Sequence, residues 1–288
     1  MELTEIYKDS LIYPTKDWNK LIIIGILSLI IGVFGFITGF SLILMNFILT
    51  VAFGVITIII ALIIGLIYSG YSLSIIKETI ENKQNSEEID ALPDFDWIKN
   101  IVDGIKVLIL NTVYMIIPFI VSIILAYALG LFNMDLINQY VSIANGSVAY
   151  NSSAAVMING SLSSNPVAFA ELSQFGLYMN IVQGIFSVLA LIFTLFKMIA
   201  QAKLAETSKL SSIFEFKEIF DTIAKIGWGN YIIWFILLIV IASIIGFIGG
   251  MITLIPILGL FVFSLLFLPF LLIFESRAIG LIYNESKQ

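Results

Sequence analysis

Ionisable side chains inside a long apolar run are expensive to bury, and where they persist they mark ion pairs, proton relays or solute paths. Three come close to that condition here: Lys197, Glu275 and Arg277. Lys197 and Glu275 sit at similar depth near the ends of two different apolar runs, so a contact between them would brace two helices or serve a site. Glu275 and Arg277 are two residues apart and would not face each other on a helix. The plainer role for all three is snorkelling, in which the stem stays in hydrocarbon and the charged head reaches the interface. Asn111, Asn180, Gln183 and Asn230 are polar residues within or beside the apolar runs. Their expected use is interhelical hydrogen bonding, worth ~0.6 kcal/mol each, or the lining of a polar cavity.

The rest of the chemistry is defined by what is missing. The chain has neither His nor Cys. That removes disulfides, thiol chemistry, Cys-ligated metals and the commonest general base and metal ligand. There is no HExxH and no glycine-rich phosphate loop followed by Lys. A Ser nucleophile would have no His beside it, and no Ser–Lys pair stands out. The expectation is a non-enzymatic protein with no catalytic residue, cofactor or metal site.

Of the 288 residues, 60% are hydrophobic and only 12% charged, against ~25% charged in soluble domains. Mean hydropathy is +1.06. Such a chain reads as a polytopic membrane protein. A net charge of −6 gives no support for nucleic acid as a partner. The first residues carry Glu2, Glu5, Asp9 and Asp17, whereas a signal peptide begins with a basic region, so the apolar run from Leu21 reads as retained.

The elements that must position these residues are helical. The reading is an all-α membrane protein: six transmembrane helices as three hairpins, with cytoplasmic amphipathic helices at the interface. Met1–Lys20 holds Leu3, Ile6, Tyr7 and Leu11 at helical spacing before Pro14, and reads as a surface helix or a tail. Leu21 to about Ile76 is long enough for two crossings of ~20 residues each, turning between Ile37 and Phe47. Gly25, Gly32, Gly35 and Gly39, then Gly54, Ala61, Gly65 and Ser69, suggest close packing of that hairpin. Lys77–Leu92 is a polar linker. From Pro93 to Lys106, Trp97, Ile98, Ile101, Val102 and Ile105 form an apolar stripe with charges between them. That is a helix on the membrane surface, turning into a third span from about Gly104 to Gly130, kinked at Pro118.

Leu131–Gly176 has no Lys or Arg, is rich in Ser and Asn, and holds the sequons at Asn145, Asn151 and Asn159. The fourth span runs from Leu177 to about Lys203. Ser212 and Glu215 read as a capping box for a second surface helix, with Phe216, Ile219, Phe220, Ile223 and Ile226 on its apolar face. The fifth span, Trp228 to about Gly250, carries Gly246 and Gly250 at GxxxG spacing. The sixth, Pro256 to about Tyr283, has a kink expected at Pro269.

Asp94-Phe95-Asp96-Trp97-Ile98 overlays Glu215-Phe216-Lys217-Glu218-Ile219, and the run from Trp18 overlays that from Trp228. The single domain 1–288 thus divides into pseudo-repeats of about 1–92, 93–210 and 211–288. All 14 basic residues fall on one side of this map. The positive-inside rule puts both termini and the surface helices in the cytoplasm and the loop of about 131–176 outside, in a cell (plasma) membrane. All of the 20 acids except Asp135 and Glu171 share the basic side, which argues against a polybasic grip on anionic lipid.

Leu11-Ile-Tyr-Pro-Thr-Lys-Asp-Trp18, Gly70-Tyr-Ser-Leu-Ser-Ile-Ile76 and, most specifically, Leu92-Pro-Asp-Phe-Asp-Trp97 followed by Val102-Asp-Gly-Ile-Lys106 carry a likeness. The chain resembles the uncharacterised prokaryotic membrane proteins, frequent in methanogenic archaea, grouped as domain-of-unknown-function family 4013. The likeness covers nearly the whole chain and implies an integral membrane protein, with no functional residues to carry over. Two functions remain open. One is a protein whose surface helices organise membrane lipids, a protein partner or self-association through Trp97, Ile98, Ile101, Phe216, Ile219, Phe220 and Ile223. The alternative is a small-solute transporter or channel with a site between hairpins.

Overall fold

A run of apolar residues can satisfy its backbone groups internally only as a helix or a closed barrel, and every regular element among the described residues is helical. The structure, a computed structural model, describes residues 2–85, 91–134, 137, 138, 166–255 and 258–287. Helix α1 (Leu3–Ile12) leads through a 3-10 turn (Tyr13–Lys16) into α2 (Trp18–Ile43) and α3 (Phe47–Asn85). Helices α4 (Trp97–Ala128) and α5 (Pro166–Thr207) follow. A second 3-10 turn (Leu210–Phe214) precedes the short α6 (Phe216–Ile226) and the long α7 (Trp228–Ile252). The last element is composite: α8 (Leu258–Val262), a π-helical segment (Phe263–Phe267) and α9 (Leu268–Glu285). Six helices are long and apolar enough to cross a membrane, with mean hydropathy from 2.0 to 3.0 over their best windows. Their outer faces are apolar too, as at Ile43, Ile58, Ile124 and Phe247, all exposed.

Side chains at the boundaries explain where the helices start and stop. Asp17, Asn46 and Asp96 accept hydrogen bonds from the backbone N–H groups of Lys20 (3.2 Å), Leu49 (3.1 Å) and Lys99 (3.0 Å). Each satisfies a donor that the first helical turn leaves free. Gly227, at φ +90°, breaks the chain between α6 and α7 in a conformation that side chains with a Cβ rarely adopt.

The chain forms two compact units, Met1–Asn111 with Leu195–Gln288, and Thr112–Thr194. In the first, α2 runs beside α3, joined by Thr38 Oγ1 to Thr57 Oγ1 at 3.0 Å and by Ser41 Oγ donating to Thr50 Oγ1 at 3.1 Å. A core of Tyr13, Leu21, Ile24, Tyr71, Ile75, Leu92 and Ile273 ties α2, α3 and α9 together. In the second, Pro118 lies within α4 without ending it, and Ser122 Oγ donates to the Pro118 carbonyl at 2.8 Å.

Backbones meet at a few glycines. A Cβ on Gly70 would stand 1.9 Å from the Asn100 carbonyl oxygen, and one on Gly104 would stand 2.0 Å from that of Leu66. The contact is reciprocal. Each glycine lies four residues after the residue whose carbonyl the other helix meets, so α3 and α4 cross main chain to main chain. Gly25 approaches the Leu265 carbonyl in the same way, at 2.4 Å from a built Cβ. That carbonyl is the one an ordinary helix would bond to residue 269. Pro269 has no N–H to give, and the π-helical segment lies directly upstream of it. The kink expected at Pro269 therefore takes the form of a widened turn against which α2 packs.

Several expectations change. Gly35, Gly39, Gly65, Gly246 and Gly250 have nothing within 4 Å of a built Cβ. The α2–α3 pair is joined by hydroxyls and apolar side chains, not by its GxxxG pair, and Gly249 faces Phe267 where Gly250 was expected to pack. The predicted surface helix and third span are one unbroken helix. Gly104 is spent on the Leu66 contact within α4, so nothing interrupts the backbone there. The fourth long helix starts at Pro166, within the segment read as outer loop. Ser212 and Glu215 form no capping box: Ser212 Oγ donates to the Lys209 carbonyl at 2.8 Å, and Glu215 is drawn to Lys203. The sequons, the acids at 87, 88 and 90, and Pro256 lie outside the described residues. The N-terminal segment, read as helix or tail, is a helix with Ile6, Tyr7 and Ser10 buried.

Gly70→Ala and Gly104→Ala should each lower thermal stability in detergent, by ~1–3 kcal/mol for a side chain forced into a filled contact. Gly35→Ala and Gly39→Ala should stay within about 0.5 kcal/mol of the parent. Unfolding followed by tryptophan fluorescence separates the two pairs.

Candidate functional site

Three polar clusters lie in the first unit. The first surrounds Arg277, whose side chain is 7% exposed. Its Nε and Nη2 donate to the two carboxylate oxygens of Asp9 at 2.7 and 3.1 Å, and Nη1 donates to Thr79 Oγ1 at 3.2 Å. The guanidinium also lies over the Tyr13 ring, 4.6 Å from its centre. The planar fork of Arg matches a carboxylate with two parallel bonds. One side chain thus joins α9 to α1 and α3. Burial, with the nearby Glu78 charge, raises the pKa of Tyr13 above its ordinary value, so the phenol stays a donor, directed to the Ala91 carbonyl at 3.4 Å. Gly280 and Asn284 continue the same face of α9, one packed on Thr79 and the other donating to its carbonyl at 3.1 Å.

The second cluster clamps α6 to α5. Lys203, buried, donates to Glu215 Oε2 at 2.8 Å and to Glu218. The Lys203 hydrogen bond and charge hold the Glu218 carboxyl below its ordinary pKa. Nearby, Tyr283 OH donates to Glu206 Oε2 at 2.6 Å, and Lys287 donates to the other oxygen. This joins α9 to α5.

The third is a cavity of ≈ 200 Å³ among α3, α4, α5 and α9. Its polar wall includes Ser69, Ser72, Asn111, Lys197, Gln201, Glu275 and Ser276, and Tyr68, Val107 and Leu272 contribute apolar surface. Part of the polar wall is internally satisfied. Gln201 Nε2 donates to Ser72 Oγ at 3.3 Å, Ser72 and Ser276 hydroxyls are 2.7 Å apart, and Ser276 Oγ donates to the Leu272 carbonyl at 2.6 Å. Lys197 and Glu275 are each other's electrostatic partner. Among the described residues neither has an opposite charge within 4.0 Å, and neither they nor Asn111 makes a hydrogen bond. Two opposite charges therefore look into one hollow without touching.

A hollow of ≈ 340 Å³ in the second unit, bounded by Gly130, Asn133, Gln174 and Tyr178, has no charged side chain among its described lining residues.

A family described as protein of unknown function, DUF4013, matches residues 53–254 of the chain. That is well over half of its length. The chain belongs to the DUF4013 family. It is also 32% identical over 145 residues to the uncharacterized protein MJ1189 of Methanocaldococcus jannaschii, a match covering 42% of this chain and 48% of that protein. The chain thus spans about half the length of this relative. No solved structure matches.

In this DUF4013 chain the residues singled out from sequence separate into groups. Lys197, Glu275 and Asn111 converge on the cavity. Gln183 and Asn230 do not: both are exposed, and the Gln183 amide donates to Ser187 Oγ at 3.5 Å. Asn180 is exposed and donates to the Gly176 carbonyl at 2.9 Å. Arg277 does not snorkel, because Asp9 and Thr79 give its donors partners in the interior. The candidate surface contacts divide as well. Ile219 and Ile223 are buried against the protein, Ile101 is half-buried, and Trp97, Ile98, Phe216 and Phe220 are exposed. Phe220 lies over Phe196 with ring centres 4.7 Å apart. Helix α6 therefore spends the centre of its apolar stripe on the fold, leaving aromatic edges outside.

Sequence reading missed Asp9, Thr79, Ser72, Ser276 and Gln201. Only the spacing of Arg277, Gly280 and Asn284 on one helical face could have pointed to their common neighbour.

Replacing Arg277 by Met leaves the Asp9 carboxylate without its partner. Breaking a buried pair costs ~3–5 kcal/mol, and because the Asp9 side chain remains 35% exposed, a loss at or below that lower bound is expected. Thermal unfolding of Arg277→Met, Asp9→Asn and the double variant should give a double-variant loss well short of the sum. The Glu218 clamp sets a pH dependence. A carboxyl with a lowered folded-state pKa adds stability above its unfolded pKa and loses it as pH falls through the lowered value. Proteolysis of the α5–α6 junction should accelerate on acidification across that window, and Glu218→Gln should reduce the response.

Proposed function

We propose that the chain is a non-enzymatic, multi-pass membrane protein that binds a small polar solute among its helices and passes it across the bilayer. One observation carries the reading: Lys197 and Glu275 line a polar cavity and, among the described residues, take no direct hydrogen-bond or ion-pair partner. Charges kept unpaired inside a helical bundle are costly and mark a site rather than a brace. Support for the membrane setting comes from the six long apolar helices and from Trp18, Trp97 and Trp228. These open α2, α4 and α7, and all three are exposed, in keeping with an interfacial belt. The cationic residues all lie toward that side of the sequence map, so both termini and α6 face the cytoplasm of a cell membrane, with 131–176 outside. The lack of His and Cys supports a role without bond chemistry.

A second reading is favoured by the exposed Phe216 and Ile98 and by Phe220, which is exposed beside Trp228. These side chains suit anchoring in membrane lipids, a protein partner or self-association. In that role Ile219 and Ile223 hold the helix in place and make no outside contact.

The chain has no Cys, so Asn111→Cys is a single reporter of cavity access. In proteoliposomes, parent protein should admit at least one class among labelled amino acids, small amines, small carboxylates and polyols faster than empty vesicles. A water-soluble thiosulfonate should react with Asn111→Cys and lower that flux several-fold. No flux of any class, with Asn111→Cys unreactive from both faces, would sink the solute reading and leave the lipid-surface one.

A further inference from the structure

We infer that the cavity recognises a small zwitterion, a molecule carrying a primary ammonium and a carboxylate and no net charge, held between Glu275 and Lys197. The inference rests on the solute-site reading and names the class of solute. Glu275 comes from α9 and Lys197 from α5, and both side chains line the same ≈ 200 Å³ space. Opposite charges in a weakly polar interior attract strongly and collapse into contact unless the frame prevents it. Here they stay apart. Each helix is fixed by its own clamps a few residues away: Lys203 to α6, and Arg277 to Asp9 and Thr79. The frame therefore holds one anion and one cation apart across the same ≈ 200 Å³ space.

The charge count selects the guest. A simple cation would satisfy Glu275 and leave Lys197 uncompensated, and a simple anion would do the reverse. A neutral polyol would supply hydrogen bonds but no countercharge. A zwitterion meets both groups with charge-assisted hydrogen bonds, which are about twice as strong as neutral ones, and leaves the cavity's net charge unchanged. The volume lies below the ~300–1,000 Å³ of sites for drug-sized ligands, which limits the guest to a few heavy atoms. Asn111, without a hydrogen-bond partner among the described residues, offers both a donor and an acceptor to fix its orientation. The hydroxyls of Ser72 and Ser276 are already engaged with each other.

The test is titration of the full-length protein in lipid nanodiscs with glycine, β-alanine and γ-aminobutyrate, beside methylammonium, acetate and glycerol, read by calorimetry. At least one zwitterion should bind about 10-fold or more tightly than any single-charge or neutral compound, a difference of ~1.4 kcal/mol. Lys197→Met and Glu275→Gln should each remove that preference, and the exchanged pair Lys197→Glu with Glu275→Lys should restore it. Equal binding of methylammonium, acetate or glycerol overturns the zwitterion and keeps the solute site. Zwitterion binding that ignores both substitutions overturns the assignment to this cavity. No binding by any of the six, together with no flux in proteoliposomes, overturns the zwitterion and the solute site alike. The comparison among ligands uses the parent protein, so it decides the matter even if a variant does not fold.

Discussion

The arrangement depends on one guanidinium that has left water. A buried guanidinium needs a partner that matches its planar fork, and the carboxylate that meets Arg277 comes from the other end of the chain. Asp9 lies on α1, a helix too short and too polar to stand alone. The bidentate contact, the Thr79 hydroxyl and the Tyr13 ring give Arg277 what bulk water would have supplied. Once α1 is held there, Ile6, Tyr7 and Tyr13 close over the ends of the long helices. The ionic layer of Lys203, Glu215, Glu218, Glu206 and Lys287 does the same for α5, α6 and α9. Beyond these two satisfied layers lies the unsatisfied pair, Lys197 and Glu275. The contrast is informative because the buried Lys203 and Arg277 are closely paired, whereas the half-buried Lys197 is not.

Sequence alone carried the number of the long helices and, apart from the early start of α5 at Pro166, their approximate limits, because mean hydropathy over ~20 residues is a sum and tolerates local error. It also carried the family, through short stretches such as Leu92–Trp97. It fared worse where a single contact decides the outcome. Four glycines at GxxxG spacing proved to lie in the open, while Gly70 and Gly104, separated by a linker, meet each other's helices. Spacing within one helix says which residues share a face, but nothing about what stands opposite. For the same reason Lys197 and Glu275 could be matched by depth, whereas Ser72, Ser276 and Gln201 could not. Hydroxyls and amides are common in such helices, and their partners depend on which helices are neighbours.

Helix α6 shows a related limit. Its amphipathic pattern is strong enough to be read as a surface helix, and it lies directly before α7 as expected. Periodicity cannot distinguish an apolar stripe turned toward lipid from one turned toward protein. Ile219, Ile223 and Ile226 face inward, while Phe216 and Phe220 remain outside. The charges expected to face water include Glu215 and Glu218, which Lys203 draws to the base of the helix.

The widened turn at Phe263–Phe267 has a geometric outcome of its own. An α-helix advances ~100° per residue, and a π turn accommodates an extra residue. The faces of α8 and α9 are therefore out of phase across it by about that angle. Gly259 on one side, and Glu275 and Arg277 on the other, are aimed independently. A continuous α-helix with the same sequence would swing one set away whenever the other was correctly turned. Pro269 thus acts as a phase setter for the polar end of the helix.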